Sequence, residues 1–224
     1  MSSSSDETNP PTHEEMLAYL EDRGIENPQV VAAMTRVPRH AFVPEEVRTR
    51  AYGRRPLPIG HGQTISTPFI VASMTELLQL DGTERVLEIG TGCGYQTAVL
   101  CEIVSEVYSV EIVAKVAEFG ARNLARLGYS ANLRVGDGAD GWPERAPFDR
   151  ILLAATSPRI PDSLLSQLAV DGIAIGPEQA QPREGDDANA RREVLARYQR
   201  SEHGFERTEI YGVRFVPMTG KVQQ

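Results

Sequence analysis

The chain has 224 residues, with 23 Lys and Arg against 31 Asp and Glu and a formal net charge of −8 at pH 7. That balance disfavours a broad phosphate-binding surface, which needs clustered cations to displace counterions, and so disfavours nucleic acid as a partner. With 41% hydrophobic and 24% charged residues, and no run of about 18 apolar residues to span a membrane, the composition is that of one sheet-based globular domain.

Residues 1–11 are Ser, Asp, Glu, Asn and Pro without apolar periodicity, and are expected to form a disordered leader before a single domain over 12–224. This leader has no basic region and no apolar run, so it does not read as a signal peptide. Thr12 with Glu15 three residues on reads as a capping box. Met16, Leu17, Tyr19 and Leu20, then Val30, Val31 and Met34, recur at helical spacing, predicting two short helices joined through 24–28. From 36 to 68 the segment is punctuated by Pro38, Pro44, Pro56, Pro58 and Pro68 and by Gly53, Gly60 and Gly62, which excludes a long helix or strand. It is too apolar for a linker, and a loop of this length in a compact domain is a lid or a binding segment. A helix over 68–80 follows, with Phe69, Ile70, Met74, Leu77 and Leu78 on one face.

After Asp81-Gly82 the period changes. Short β-prone runs at 85–89, 107–111, 133–135, 150–154 and 173–175 alternate with helical stretches at 95–104, 113–127 and 161–169. Such alternation implies right-handed crossovers and a parallel sheet covered on both faces, a doubly wound, Rossmann-like α/β fold. The polar, Pro- and Gly-rich residues 177–193 are expected to be a mobile loop. Runs at 194–198 and 213–216, with 206–211 as a possible third, predict antiparallel strands at the end of the sheet. The expected partition is 12–80 for helices and lid, 81–176 for the nucleotide-binding core, 177–193 for the loop and 194–224 for the final strands. Cys93 and Cys101 are the only cysteines; two turns apart on one helix, they are too distant for a disulfide, so a reducing, cytoplasmic setting is expected.

The chemistry begins at Glu88-Ile-Gly90-Thr91-Gly92-Cys-Gly94-Tyr-Gln96, where the first of these strands meets its helix. Glycines at such a turn permit unusual backbone angles and let amides approach a ligand. A dinucleotide fingerprint would put its third Gly at position 95, which is Tyr95. The spacing is instead Gly-x-Gly-x-Gly, and a carboxylate at Glu88 suits the methionine ammonium of S-adenosylmethionine, whereas it would repel a pyrophosphate. Glu111 ends the second strand, where a carboxylate can accept both ribose hydroxyls. Asp137-Gly138 follows the third strand and could read the adenine edge. Each feature alone is equally a plain turn or a surface acid; three acids at three successive strand ends favour the ligand reading.

His61-Gly-Gln-Thr64-Ile65-Ser66-Thr67-Pro68 lies in the lid. Ser66 or Thr67 could simply be an N-cap with Pro68 at the first helical position, a role compatible with catalysis. The histidines at 13, 40, 61 and 203 show no metal-ligand spacing, no metal is expected, and no hydrolase triad is supported.

Arg39-His-Ala-Phe42-Val-Pro44, Ala51-Tyr52, Pro56-Leu-Pro-Ile-Gly60, Gly62-Gln-Thr-Ile-Ser66, Val86 to Gln96, Gly136-Asp-Gly138, Ala146-Pro-Phe-Asp149 and Phe215-Val-Pro217 occur in order over about 13–219. In this series the chain resembles the protein-L-isoaspartate O-methyltransferase family. The resemblance implies repair of aged proteins: the methyl of S-adenosyl-L-methionine passes to the free carboxylate of an isoaspartyl residue, leaving S-adenosyl-L-homocysteine and an ester that collapses to succinimide. It implies Ser66 as the active-site hydroxyl, with Thr64 to Ser66 lying over the cofactor. It further implies cofactor contacts at Ile65, Glu88, Gly90, Thr91, Gly92, Gly94, Gln96, Glu111, Asp137, Gly138 and Thr219. Isoaspartyl peptides and proteins are the implied substrates, taken by a monomer without membrane or nucleic-acid partners. The acceptor carboxylate, with a pKa of about 4, is already ionised at neutral pH, so no general base is needed.

Three positions depart from the family's pattern. Arg54 stands where an acidic residue is usual, Thr67 occupies the middle of a Ser-Gln-Pro or Ser-Ala-Pro triplet, and Gly176-Pro177-Glu178 replaces Pro-Val-Gly. They leave open a same-fold carboxyl methyltransferase with another acceptor, such as a peptide aspartate, and a cofactor-binding module without turnover. An RNA methyltransferase is disfavoured by the charge.

Overall fold

The computed structural model describes residues 10–180 and 192–223. Thr12 opens α1 (His13–Asp22) as a complete capping box, its hydroxyl accepting from the Glu15 amide while Glu15 accepts from the Thr12 amide. Asn27 caps α2 (Pro28–Arg36). The proline-punctuated segment then makes two 3₁₀ turns, Arg39–Phe42 and Glu45–Arg50, and a small antiparallel hairpin of β1 (Leu57–Gly60) and β2 (Gln63–Ile65). Helix α3 (Pro68–Leu77) is shorter than the apolar spacing suggests, because Gln79 takes a left-handed φ of 54° and stops it.

Next come β3 (Arg85–Ile89), α4 (Tyr95–Cys101), β4 (Glu106–Glu111), α5 (Ala114–Arg126), β5 (Asn132–Val135), β6 (Phe148–Leu153), α6 (Asp162–Leu165), β7 (Leu168–Gln179), β8 (Glu193–Ser201) and β9 (Gly204–Val213). They form a seven-stranded sheet in the order β5-β4-β3-β6-β7-β8-β9. The strands from β5 to β7 pair in parallel, and β8 and β9 are antiparallel.

The β pleat sends alternate residues to opposite faces. Val86, Val107 and Leu152 meet Met74 and Leu78 of α3 and its C-terminus and Leu100 of α4. Leu87, Ile89, Tyr108 and Ile151 meet Leu164 and Leu165 of α6 on the other face. The N-terminal helices, the 3₁₀ turns and the hairpin pack outside α4 and α5, against Tyr95, Val99, Val116 and Leu124. Among the described residues no helix is long and apolar enough to cross a membrane.

Four further expectations are corrected. The helix expected over 161–169 is only the four residues of α6, since Leu168 already pairs with Phe148 in the sheet; the apolar repeat there marks burial against a sheet face, not helix length. Strand β7 runs well beyond 173–175 at both ends. Residues 177–179 pair with β8, and Glu193 lies within β8, so neither belongs to a loop; 181–191 lie outside the described residues, as do 1–9 of the expected leader. The last strand is Gly204–Val213, which contains the run at 206–211, and of the strand expected over 213–216 it includes only Val213. Its residues are mostly half-buried or exposed, which hides the alternation that would announce a strand.

The chain winds outward from β3 through β4 to β5, then returns to the other side of β3 as β6. A crevice forms at the carboxyl ends of strands where the order reverses in this way.

Candidate active site

An open cleft occupies that crevice, where ligands of doubly wound sheets bind. Its floor is the turn after β3. Gly90, Gly92 and Gly94 have φ of 101°, 55° and 87°, a region L side chains rarely adopt. Gly90, Thr91 and Gly92 line the cleft, whereas Gly94 does not: it starts α4 and packs under Leu124, whose Cγ would lie 2.9 Å from an added Cβ. Gln96, in the first turn of α4, also lines the cleft and donates to the Thr75 hydroxyl at 2.9 Å.

Glu88 is fully buried and does not line the cleft. Its pleat position faces α4 and not the strand end, and one oxygen accepts from Thr97 at 2.5 Å and Ser109 at 2.6 Å. The other oxygen, Oε1, is buried with no hydrogen-bond partner. Burial pushes its pKa up to about 7; the two hydroxyls oppose that shift and the Glu111 carboxylate adds to it. Thr91 shares the network, its hydroxyl 2.6 Å from that of Ser109.

Glu111 ends β4 and lines the cleft. Its two oxygens accept the amides of Gly92 and Val113, each at 3.0 Å, so the carboxylate also pins the glycine turn. Each oxygen keeps acceptor capacity beyond that one bond. Asp137 is turned away, accepting from Ala139 at 2.9 Å and from the Lys221 amide of the C-terminal tail at 2.8 Å. Its neighbour Gly138 lines the cleft. No larger residue fits there, since a Cβ would lie 2.3 Å from Cγ2 of Ile89. Thr219 reaches the cleft from the tail, which is stitched to the residues after β6 by the Thr156 amide to Val216 and the Met218 amide to Thr156.

The opposite wall is the hairpin together with Ser66. The hairpin's turn puts His61 and Gly62 at φ of 53° and 74°, and Ile59 approaches Gly92 from above. Thr64, Ile65 and Ser66 all line the cleft. The N-cap of α3 is Thr67, whose hydroxyl accepts from the Ile70 amide at 3.3 Å. Ser66 is therefore not used as a cap. Its carbonyl instead accepts from Nη2 of Arg39 at 2.5 Å.

Arg39 and Phe215-Val-Pro217 stand in the family motifs without a role assigned to them, and Thr97 and Ser109 lie outside the motifs. Thr97 and Ser109 are buried polar residues at apolar positions of α4 and β4, a detectable signal; for Arg39, in a short proline-bounded turn, the motif alone gives no indication of its contacts. Of the departures, Arg54 stacks over Tyr19, 4.3 Å from its centroid, away from the cleft. Gly176 lies within β7, where a Cβ would meet Leu153 at 2.8 Å. Glu178 is buried in a pairing with Arg207 at 2.9 Å.

Residues 11–223 match the family model described as protein-L-isoaspartate(D-aspartate) O-methyltransferase. A protein-L-isoaspartate O-methyltransferase of Gloeobacter violaceus is 48% identical over 206 residues, covering 92% of this chain and 97% of the relative. Among solved structures, a protein-L-isoaspartate O-methyltransferase superposes with a TM-score of 0.81 at 27% identity, over 94% of this chain and 67% of that one. A Plasmodium falciparum structure described as a protein-L-isoaspartate O-methyltransferase in complex with S-adenosyl-L-homocysteine gives a TM-score of 0.77 at 23% identity, over 93% and 99%.

Proposed function

The chain belongs to the protein-L-isoaspartate(D-aspartate) O-methyltransferase family, and from that premise we propose how its cleft divides the work of methyl transfer between a cofactor wall and an acceptor wall. It is an S-adenosylmethionine-dependent protein carboxyl O-methyltransferase acting on isoaspartyl residues. The observation that carries the division is that Ser66 lines the cleft with its hydroxyl making no hydrogen bond among the described residues, while the adjacent Thr67 caps α3.

The residues present fit the cofactor. Gly90, Thr91 and Gly92 offer close backbone approach, Glu111 offers carboxylate lone pairs at the strand end, and Gly138 lines the cleft where Ile89 and Met218 leave no room for a Cβ. Gln96 extends that wall, and Ile65 of the hairpin and Thr219 of the tail close over it from the other side. Glu88 acts from below as a buried acid beneath the turn, Gly94 by setting the start of α4, and Asp137 by tying the tail that carries Thr219. When bound, the cofactor supplies an electrophilic methyl on a sulfonium centre.

Ser66 orients the acceptor by donating one hydrogen bond to a carboxylate oxygen, with Thr64 beside it on β2. The carboxylate is ionised at neutral pH, so no proton has to be removed, and the task of the acceptor wall is alignment and exclusion of water. A net charge of −8 and two free cysteines support a monomer acting in the cytoplasm on protein substrates without nucleic acid. The test is methyl transfer to an isoaspartyl peptide and its aspartyl twin by the wild type and by Ser66→Ala. The expected result is selective transfer to the isoaspartyl form, with turnover reduced on the order of tenfold in the variant, the loss of about one charge-assisted hydrogen bond, and unchanged cofactor affinity. Unaltered turnover sinks the role of Ser66.

A further inference from the structure

Arg39 has no exposed surface, yet among the described residues no carboxylate pairs with it. Burying a guanidinium without a counterion is costly, and this one is met by two backbone carbonyls and by Tyr95. Its Nε donates to the Ala51 carbonyl at 2.7 Å and its Nη2 to the Ser66 carbonyl at 2.5 Å. Its guanidinium carbon lies 4.8 Å from the centroid of Tyr95, and Nη1 is buried without a partner.

Residues 51 and 66 bracket the hairpin that forms the acceptor wall. Tyr95 is the first residue of α4, directly after the glycine turn, and itself lines the cleft. One rigid fork therefore fastens both ends of the acceptor segment and rests against the element that begins at the cofactor turn. Two uncharged donors could hold the same carbonyls at a lower desolvation cost. What the planar fork adds is a fixed distance between them, referenced to Tyr95.

We propose that Arg39 is a positioning residue for methyl transfer, setting the backbone of Ser66 relative to the cofactor turn so that the Ser66 hydroxyl meets the acceptor carboxylate in the reactive alignment. The inference rests on Ser66 being the acceptor-orienting hydroxyl. A misplacement of about 1 Å in such an alignment costs up to about 10²-fold in rate. Arg39 touches neither reactant and acts through residue 66.

The test is a double-mutant cycle of Arg39→Lys and Ser66→Ala, read as single-turnover methyl transfer to an isoaspartyl peptide, with S-adenosyl-L-homocysteine affinity measured alongside. A lysine has the charge but not the fork, so it cannot bridge both carbonyls in one geometry. Arg39→Lys is expected to lower the rate at least about tenfold, with peptide KM and S-adenosyl-L-homocysteine affinity within about threefold of wild type. In the Ser66→Ala background the same substitution is expected to have little further effect. Arg39→Gln, which retains two N–H donors, serves in place of Arg39→Lys if the latter does not hold S-adenosyl-L-homocysteine. An equal rate loss in both backgrounds, a wild-type rate in Arg39→Lys, or loss of S-adenosyl-L-homocysteine binding in both variants overturns the proposal, the last because it marks a purely structural role. Failure of the Ser66 reading shows separately, as an unchanged rate in Ser66→Ala alone.

Discussion

The wall of the cleft made by β3, β4 and the glycine turn is part of the core: Glu88 is sealed beneath it, Glu111 pins the Gly92 amide, and Gly120 of α5 lies against Gly92 from behind. The wall made by the hairpin and the C-terminal tail is laid over that core. It is fastened by a few bonds from Arg39, Thr156 and Asp137. Of the three places where the chain departs from its family's pattern, Thr67 borders the laid-on wall, Arg54 precedes the hairpin and Gly176-Pro177-Glu178 lies in buried β7, away from the turn; the Gly90–Gly94 turn is untouched. A wall that shares its atoms with the core cannot change one residue without moving the sheet, whereas an overlying segment can exchange side chains at its own expense.

The largest expected effect tests the rigid side. A Cβ at residue 120 would lie 2.6 Å from the Gly92 carbonyl oxygen and 3.2 Å from Cγ2 of Thr91, and the first of these neighbours is backbone that cannot swing away. Gly120→Ala would gain about 1 kcal/mol of helix propensity against about 1–3 kcal/mol of overpacking. Sterics win, and the displaced atoms belong to the cofactor turn. Cofactor affinity is expected to fall at least about tenfold, with a lowered melting temperature. Cofactor titration and a thermal melt check this, and an unchanged affinity would show that the turn is less tightly coupled to α5 than the contact implies.

A smaller effect separates Glu88 from Glu111. With its folded pKa raised by burial to about 7, Glu88 favours its protonated form in the fold. The stability it contributes is present at low pH and lost as pH rises through about 7. Ionisation at that pH creates a negative charge beneath the turn, which favours a cationic ligand. S-adenosylmethionine affinity is therefore expected to rise with pH through this range, by at most about tenfold per unit. Glu88→Gln should remove the step from both the stability and the affinity profiles. A step that survives in the variant assigns it to another group.

The same contrast explains what is readable from the chain directly. The inner parallel strands β3, β4 and β6 are legible because they are largely buried, as continuous apolar runs such as Val86-Leu87 and Ile151-Leu152-Leu153. The glycine turn is legible because its backbone angles demand glycine at fixed spacing. The ends of β9 and the length of β7 are not, since an edge strand with exposed residues shows no clear period beyond the 206–211 run and Asp171, at a φ of 64°, lets β7 continue through what reads as a break. At the site, residue types are readable but side-chain direction is not. The pleat turns Glu88 toward α4, and the tail captures Asp137; neither depends on a local pattern.

The smallest expected effect probes the laid-on wall at its seam. Thr67 and Ser66 are adjacent hydroxyls, and their separation into cap and acceptor ligand rests on the Thr67 hydroxyl accepting from the Ile70 amide. Thr67→Ala should cost about 1 kcal/mol, the worth of an N-cap, and lower the melting temperature by about 2–4 °C for a chain of this size. Turnover should change less than about twofold, because Arg39 still holds the Ser66 carbonyl and the Ser66 hydroxyl is untouched. Differential scanning calorimetry beside the isoaspartyl peptide assay measures both quantities. If Thr67→Ala reduces turnover as far as Ser66→Ala does, the two hydroxyls act as a unit, and the helix cap itself becomes part of what aligns the acceptor.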